Sequence, residues 1–399
     1  MNKFPSIKVI SGLYLSSAFS GMRYKNRDDL MLAIMPKNTS VAGIFTKNSI
    51  VGEPVKWCKK IIREKKARAL IVNAGFSNVF LGKRGKEIVE NTVKAVAKNL
   101  KIKKSEVFVA STGIIGQDFD EGLIVKKIPE LIKNASENAY EQAAKAILTT
   151  DTFPKLIHKT AIINGEKVNI IGFIKGSGMI APSMATMLGF IFTDAKISGS
   201  YLQKLLSKTA EESYNCITVD SDTSTSDTIL AFALGTSNHS PVKNDKDLKD
   251  FAEKFTQINQ ELAQLVIRDG EGITKFITIN ILGAKSYKMA KEVGLAIANS
   301  PLVKTALFAS DPNWGRIIAG AGKAGYKLDE NKITLKIGSI LVAEKGAVSK
   351  NYSENDCANY MKGKDILIEL NLGLGKEKAT IYTCDFSYDY IKINASYRS

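Results

Sequence analysis

Short apolar runs alternate with amphipathic stretches along most of the chain. Leu70-Ile-Val-Asn73 and Val107-Phe-Val-Ala110 are continuous apolar runs, bounded by Ala74-Gly75 and by Ser111-Thr-Gly113. That is the pattern of buried strands. Between them, residues 86–100 place Val89, Val93, Val96 and Leu100 at helical spacing. Residues 121–133 and 137–148 read as two further helices. Residues 159–173 read as a hairpin around Asn164-Gly165, the dipeptide a type I′ turn prefers. Its second arm runs into Lys175, and residues 187–193 have strand length and content.

The second half repeats this style. Residues 201–212, 246–268 and 287–299 read as helices, and 229–234 and 275–281 as strands. The tail carries its own strands at 333–336, 366–370 and 379–383, with a helix at 354–361. The expected fold is therefore mixed α/β, with a main domain over 1–280 and a smaller C-terminal α/β domain over 281–399. Residues 1–15 faintly resemble a signal peptide, but Lys8 and Ser11-Gly12 interrupt the apolar run, so they read as a first strand.

Composition narrows the chemistry. A hydrophobic share of 44% with 24% charged residues is ordinary for a soluble globular chain, and no apolar run is long enough for a membrane span. Cys58, Cys216, Cys357 and Cys384 lie far apart, without metal or disulfide spacing, and read as buried reduced thiols of a cytoplasmic protein. The net charge of +16 comes from scattered lysines without interleaved aromatics, so no nucleic-acid partner is expected. There are two histidines, His158 and His239. Neither lies near a nucleophile elbow, and both read as surface residues. Gly320-Ala-Gly-Lys-Ala-Gly325 follows a predicted helix and so fails the dinucleotide context. Asp220, Asp222 and Asp227 lack the glycine and closing glutamate of a calcium loop. No metal and no cofactor is expected.

With so few conventional bases, Lys175-Gly-Ser-Gly-Met-Ile-Ala-Pro-Ser-Met-Ala-Thr186-Met-Leu188 stands out. It sets Thr186 between a glycine-rich turn and a strand. Threonine becomes an effective nucleophile when it is the N-terminal residue, because its own α-amine then removes the hydroxyl proton. That amine has a pKa of roughly 7.7–8.0. Spacing alone favours a turn that merely enters a core strand.

This segment resembles the self-cleavage motif of the ArgJ family, the glutamate N-acetyltransferases (ornithine acetyltransferases) of cyclic arginine biosynthesis. Further stretches match in order: Ser111-Thr-Gly-Ile-Ile-Gly116, Thr150-Asp-Thr152 with Pro154-Lys155, Asp220-Ser-Asp-Thr-Ser-Thr225, Asp269-Gly-Glu-Gly272, Ser310-Asp-Pro-Asn-Trp-Gly-Arg316 and Asn394-Ala-Ser-Tyr-Arg-Ser399. The resemblance implies a layered αββα main domain of the DmpA/ArgJ-like group. It implies a cut between Ala185 and Thr186, giving an α chain of residues 1–185 and a β chain of 186–399. Thr186 would be the nucleophile, Thr112 and Gly113 the oxyanion stabilisers. Thr152, Lys175, Thr186, Glu271, Asn394 and Ser399 would bind substrate.

The implied reaction moves acetyl from N-acetylornithine to glutamate, with acetyl-CoA as a further candidate donor. The implied assembly is a heterotetramer of two α and two β chains. The alternative is a self-cleaving aminopeptidase or amidase of the same fold, with water as acceptor. The chain departs from the family pattern at Asn73–Asn78, Ser221 and Ser226. None of these is a carried-over catalytic position, so they bear on substrate preference more than on reaction class.

Overall fold

The computed structural model describes residues 7–181 and 187–396. The chain divides into two compact units. One holds the described residues of 1–176, 183–213 and 223–266, the other those of 177–182, 214–222 and 267–399.

In the first unit eight strands form one sheet. They are β1 (Tyr14–Ala18), β2 (Leu30–Phe45), β3 (Lys66–Phe76), β4 (Val107–Ile114), β5 (Lys155–Ile163), β6 (Glu166–Lys175), β7 (Leu188–Thr193) and β8 (Thr228–Ala233). Their order is β4-β3-β2-β8-β7-β6-β5, with β1 beside β2. The β3–β4 and β7–β8 pairs are parallel and the rest antiparallel.

The 16-residue β2 is the pivot, and the apolar pattern did not announce it. Its register against β3 shifts between Ile34 and Thr39. Pro36 there cannot donate to the ladder, and Asn38 has φ +73°. The first half of β2 pairs with β1 and β3, and Ser40 to Phe45 pair with β8. Three strand spacings separate β4 from β8, about 14 Å in a flat sheet. The rings of Phe108 on β4 and Phe232 on β8 nevertheless meet edge-to-face at 6.1 Å. The sheet therefore doubles over on itself. Phe173, Phe190, Phe192 and Phe232 stack between the layers. All are fully buried, each contributing about 2–3 kcal/mol.

Helices cover both outer faces. On one side lie α1 (Glu53–Ile61), α2 (Lys83–Leu100) and α3 (Gly122–Lys133). Trp57 Nε1 donates to the Val107 carbonyl at 2.9 Å, and Ile88, Val93 and Val96 bury the apolar stripe of α2. A short α4 (Tyr140–Ala146) packs beside β1 and β2. On the other side, α5 (Gly199–Glu211) packs on β2 and β8, and α6 (Lys249–Arg268) sets Leu262 and Ile258 over Gly172 of β6. The result is the expected helix–sheet–sheet–helix layering. The stretch expected to be helical from 246 begins as a single 3-10 turn, Asp245–Leu248.

An ion pair fastens α2 to the start of α3. The Arg84 guanidinium bonds the Glu121 carboxylate, which also accepts from Asn91 at 2.9 Å. The Arg84 bond, opposed by partial burial, brings the Glu121 pKa down to about 2. The stabilisation is therefore full above the ordinary value near 4.5 and fades as pH falls from there toward 2. Glu121→Gln should cost about 2 kcal/mol at neutral pH and much less at pH 2.5, measured by urea unfolding.

The second unit is a six-stranded sheet in the order β12-β11-β10-β13-β9-β14. Its strands are β9 (Phe276–Ala284), β10 (Thr334–Ile337), β11 (Ile340–Glu344), β12 (Ala347–Val348), β13 (Asp365–Asn371) and β14 (Glu377–Cys384). Helices α7 (Tyr287–Ala298), α8 (Pro301–Ala309), α9 (Trp314–Gly322), α10 (Glu354–Met361) and α11 (Tyr388–Ala395) accompany it. Val293 and Ile297 of α7 join Ile279, Ile281 and Ile381 in its core. Gly320 and Gly322 lie inside α9, so no strand leads into that glycine pattern.

The four cysteines are buried and none forms a disulfide. His239 corrects the expectation of a surface residue. It is 1% exposed, its Nε2 accepting from the Lys196 N–H at 2.9 Å and its Nδ1 lying 2.7 Å from the Ser240 carbonyl. Among the described residues no helix is long and apolar enough to cross a membrane.

Candidate active site

Folding the sheet brings residues together that lie far apart along it. Thr112 and Gly113 end β4, and Lys175 ends β6. Five strand spacings separate these strands, about 24 Å if flat. The Lys175 Nζ nevertheless donates to Thr112 Oγ1 at 3.5 Å. Thr112 is 3% exposed and Lys175 1%.

Gly113 is fixed by close approach. It has φ +128°, and a Cβ there would lie 2.2 Å from the Gly75 carbonyl carbon of β3. Only glycine fits. Behind the pair, Ser111 Oγ donates to Asn73 Oδ1 at 2.6 Å, and Asn73 Nδ2 donates to the Phe76 carbonyl at 2.9 Å. This clamps the ends of β3 and β4 together. The departing Asn73–Asn78 segment thus does structural work behind the site.

Lys175 sits in a buried ion cluster. Asp151, with a fully buried side chain, accepts from Lys155 Nζ at 2.7 Å and from the Gly176 N–H at 2.7 Å, and lies 3.9 Å from Lys175 Nζ. Burial raises its pKa, but Lys175, Lys155 and the Gly176 N–H outweigh that and hold it well below the usual carboxylate range. Asp151 is therefore a counter-ion, and a poor base. Sequence reasoning quoted Asp151 and Lys155 only as parts of a motif. Thr152, next to them, is exposed.

Asp227, read earlier as part of a false cation loop, is fully buried. Its Oδ1 accepts from the Met187 N–H at 2.7 Å, just where β7 begins. Burial pushes its pKa well above its ordinary value, against the Met187 N–H, Lys175 and the Ser224 hydroxyl.

The second unit holds a separate cluster. Glu271 is buried, its Oε2 accepting from Asn394 Nδ2 of α11 at 2.9 Å. A Cβ on Gly178 would lie 2.3 Å from that carboxylate, so the glycine makes room for it. The Ser177 carbonyl accepts from the Glu271 N–H, and Ser177 Oγ donates to the Asp269 carbonyl at 2.5 Å. Asp220 caps Met179 and Ile180 through their N–H groups at 2.7 and 2.9 Å, which explains its carboxylate without a cation. Ala185, Thr186 and Ser399 lie outside the described residues.

The ArgJ family model matches residues 14–399. The chain belongs to the ArgJ family. It is 48% identical over 398 residues to the arginine biosynthesis bifunctional protein ArgJ of Ruegeria pomeroyi, covering 99% of this chain and 97% of that one. It is 45% identical over 400 residues to the same-named protein of Bradyrhizobium diazoefficiens, with the same coverage. Among solved structures, ArgJ from Bacillus halodurans is 36% identical with a TM-score of 0.50, covering 52% of this chain and 97% of that chain. In this ArgJ-family chain, Thr112, Gly113 and Lys175 of the family motifs therefore share one buried corner of the folded sheet.

Proposed function

We propose that this chain is a self-processing acetyltransferase of arginine biosynthesis, moving acetyl from N-acetylornithine to glutamate. The carrying observation is the meeting of Thr112 with Lys175 across the folded sheet, Lys175 being the first residue of the motif that ends at Thr186.

In this reading the precursor cuts itself between Ala185 and Thr186. The freed α-amine of Thr186 then takes the proton of its own hydroxyl as Oγ1 attacks the acetyl carbonyl of N-acetylornithine. Thr112 Oγ1–H and the Gly113 N–H donate to the developing oxyanion, and Lys175 adds positive charge beside Thr112. The C–N bond breaks, the proton passes to the departing amine, and ornithine leaves. Glutamate enters with a neutral amine, attacks the acetyl ester, and regenerates the threonine hydroxyl. Glu271, oriented by Asn394, pairs with a substrate ammonium group, and Thr152 and Ser399 complete the binding set. Acetyl-CoA as a further donor, a heterotetramer of two α and two β chains, and a cytoplasmic setting belong to the same proposal.

The deciding experiment measures ornithine release from N-acetylornithine with and without glutamate, then N-acetylglutamate formation from acetyl-CoA. Glutamate-dependent release supports the proposal. Release that needs only water points to an amidase and overturns it. Glu271→Gln should raise KM for N-acetylornithine about 10–100-fold while kcat stays within about fivefold, the loss of one charge-assisted contact. Initial-rate kinetics at saturating glutamate check this.

A further inference from the structure

The mature enzyme has its base in the Thr186 α-amine, but the precursor does not. Before cleavage that nitrogen is an amide, and it cannot accept the hydroxyl proton. Self-cleavage therefore needs a different proton acceptor close to residue 186. Neither histidine supplies one at this corner. His239 is tied to Lys196 and Ser240, and His158 pairs with Asn169 Oδ1 at 3.1 Å on the β5–β6 hairpin.

Two buried carboxylates stand near the ends of β6 and β7, Asp151 and Asp227. Asp151 is held by two lysines and the Gly176 N–H. Asp227 is equally buried and is also anchored through one oxygen, but no lysine bonds it: the Ser224 hydroxyl acts on the carboxylate, and Oδ2 makes no close hydrogen bond to a described residue. A buried carboxylate oxygen left unsatisfied is costly and calls for a role.

The anchoring is specific. Met187 donates its N–H to Asp227 Oδ1 at 2.7 Å, and the Met187 carbonyl accepts from the Thr228 N–H at 3.0 Å. The Asp227 carbonyl in turn accepts from the Thr46 N–H at 3.1 Å. Met187 nitrogen is the atom bonded to the carbonyl carbon of Thr186. Asp227 is thus locked to the residue that follows the scissile position, with Oδ2 making no close hydrogen bond among the described residues.

We propose that Asp227 is the proton shuttle of self-cleavage. Its Oδ2 takes the hydroxyl proton of Thr186 as Oγ1 bonds to the Ala185 carbonyl carbon, and returns that proton to the Thr186 nitrogen as the C–N bond breaks. The product is an ester between Ala185 and Thr186 Oγ1 with a free α-amine. Water then hydrolyses the ester, releasing the Ala185 carboxylate and restoring the hydroxyl. The charged group acting on Asp227 is Lys175 of β6, itself paired with Asp151, which Lys155 of β5 also holds. Burial favours the neutral acid, so the ionised fraction that starts the step grows as pH rises. This proposal rests on cleavage at Ala185-Thr186.

The test follows conversion of freshly translated full-length chain into fragments 1–185 and 186–399 by intact mass spectrometry, across pH 5.5–9. Wild type, Thr186→Ala and Asp227→Asn are compared, with circular dichroism confirming the fold. Asparagine keeps an Oδ1 acceptor for Met187 but cannot carry the proton. Expected results are cleavage at least 100-fold slower in Asp227→Asn and a wild-type rate that climbs with pH where the variant's stays flat. A folded Asp227→Asn chain that cleaves within threefold of wild type overturns the shuttle while leaving the cleavage reading intact. A wild type that never cleaves overturns both. Asp227→Ala guards against an unfolded asparagine variant. Its cleavage should accelerate at least tenfold with added formate, and a folded alanine variant indifferent to formate overturns the assignment.

Discussion

Thr186→Ala is expected to leave the 399-residue chain whole and to abolish acetyl transfer. The variant removes the hydroxyl proposed to attack Ala185, so on that reading no ester forms and no α-amine is released. Without the α-amine the site has neither nucleophile nor its base, and the loss should exceed about 10⁴-fold, as when a covalent nucleophile is removed elsewhere. Intact mass and ornithine release should fail together. A Thr186→Ala preparation that still turns over N-acetylornithine would remove Thr186 from the reaction. Thr186→Ser should keep both activities, because it keeps the hydroxyl.

Gly113→Ala should produce the second-largest loss. The added methyl would meet the Gly75 carbonyl at 2.2 Å, and φ +128° is closed to alanine. Strain and clash together should cost about 4 kcal/mol or more. Relief requires the ends of β3 and β4 to part, which would move the Gly113 N–H and the Thr112 hydroxyl away from the proposed oxyanion position. Removing such a donor costs about 10²–10³ in kcat, so activity should fall at least that far in the fraction that stays folded. Thermal unfolding combined with kcat reads both parts. Unchanged kcat in a stable variant would exclude Gly113 as an oxyanion donor.

Long periodic elements were plain in the sequence. Val89, Val93 and Val96 mark α2, and Asn164-Gly165 marks the β5–β6 hairpin, because local spacing and turn chemistry fix them. β2 was not legible. Its polar middle, Pro36-Lys37-Asn38, interrupts the apolar pattern, yet it is a bulge, with β1 paired before it, β8 paired after it and β3 paired on both sides. His239 was misread for the same reason, since Lys196, which satisfies it, lies 43 residues away. Asp227 reads in the sequence as one aspartate of a failed calcium loop. Its burial and its bond to Met187, 40 residues distant, follow only from the pairing of β7 with β8.

The sequence by itself determined the family, the expected cleavage position and the identity of Thr112, Gly113, Lys175, Glu271 and Asn394 as candidates, because ordered motifs are a one-dimensional property. Tertiary structure alone decided which of them act on one another. A strand of 16 residues, broken by one bulge, doubles the sheet and carries Lys175 to within 3.5 Å of Thr112. The same fold buries Asp151 and Asp227 to opposite electrostatic ends. Two lysines and an N–H hold one ionised, while the other keeps an oxygen unpartnered among the described residues. Charge state depends on burial and on neighbours across the fold, and neither is written in the spacing of residues along the chain.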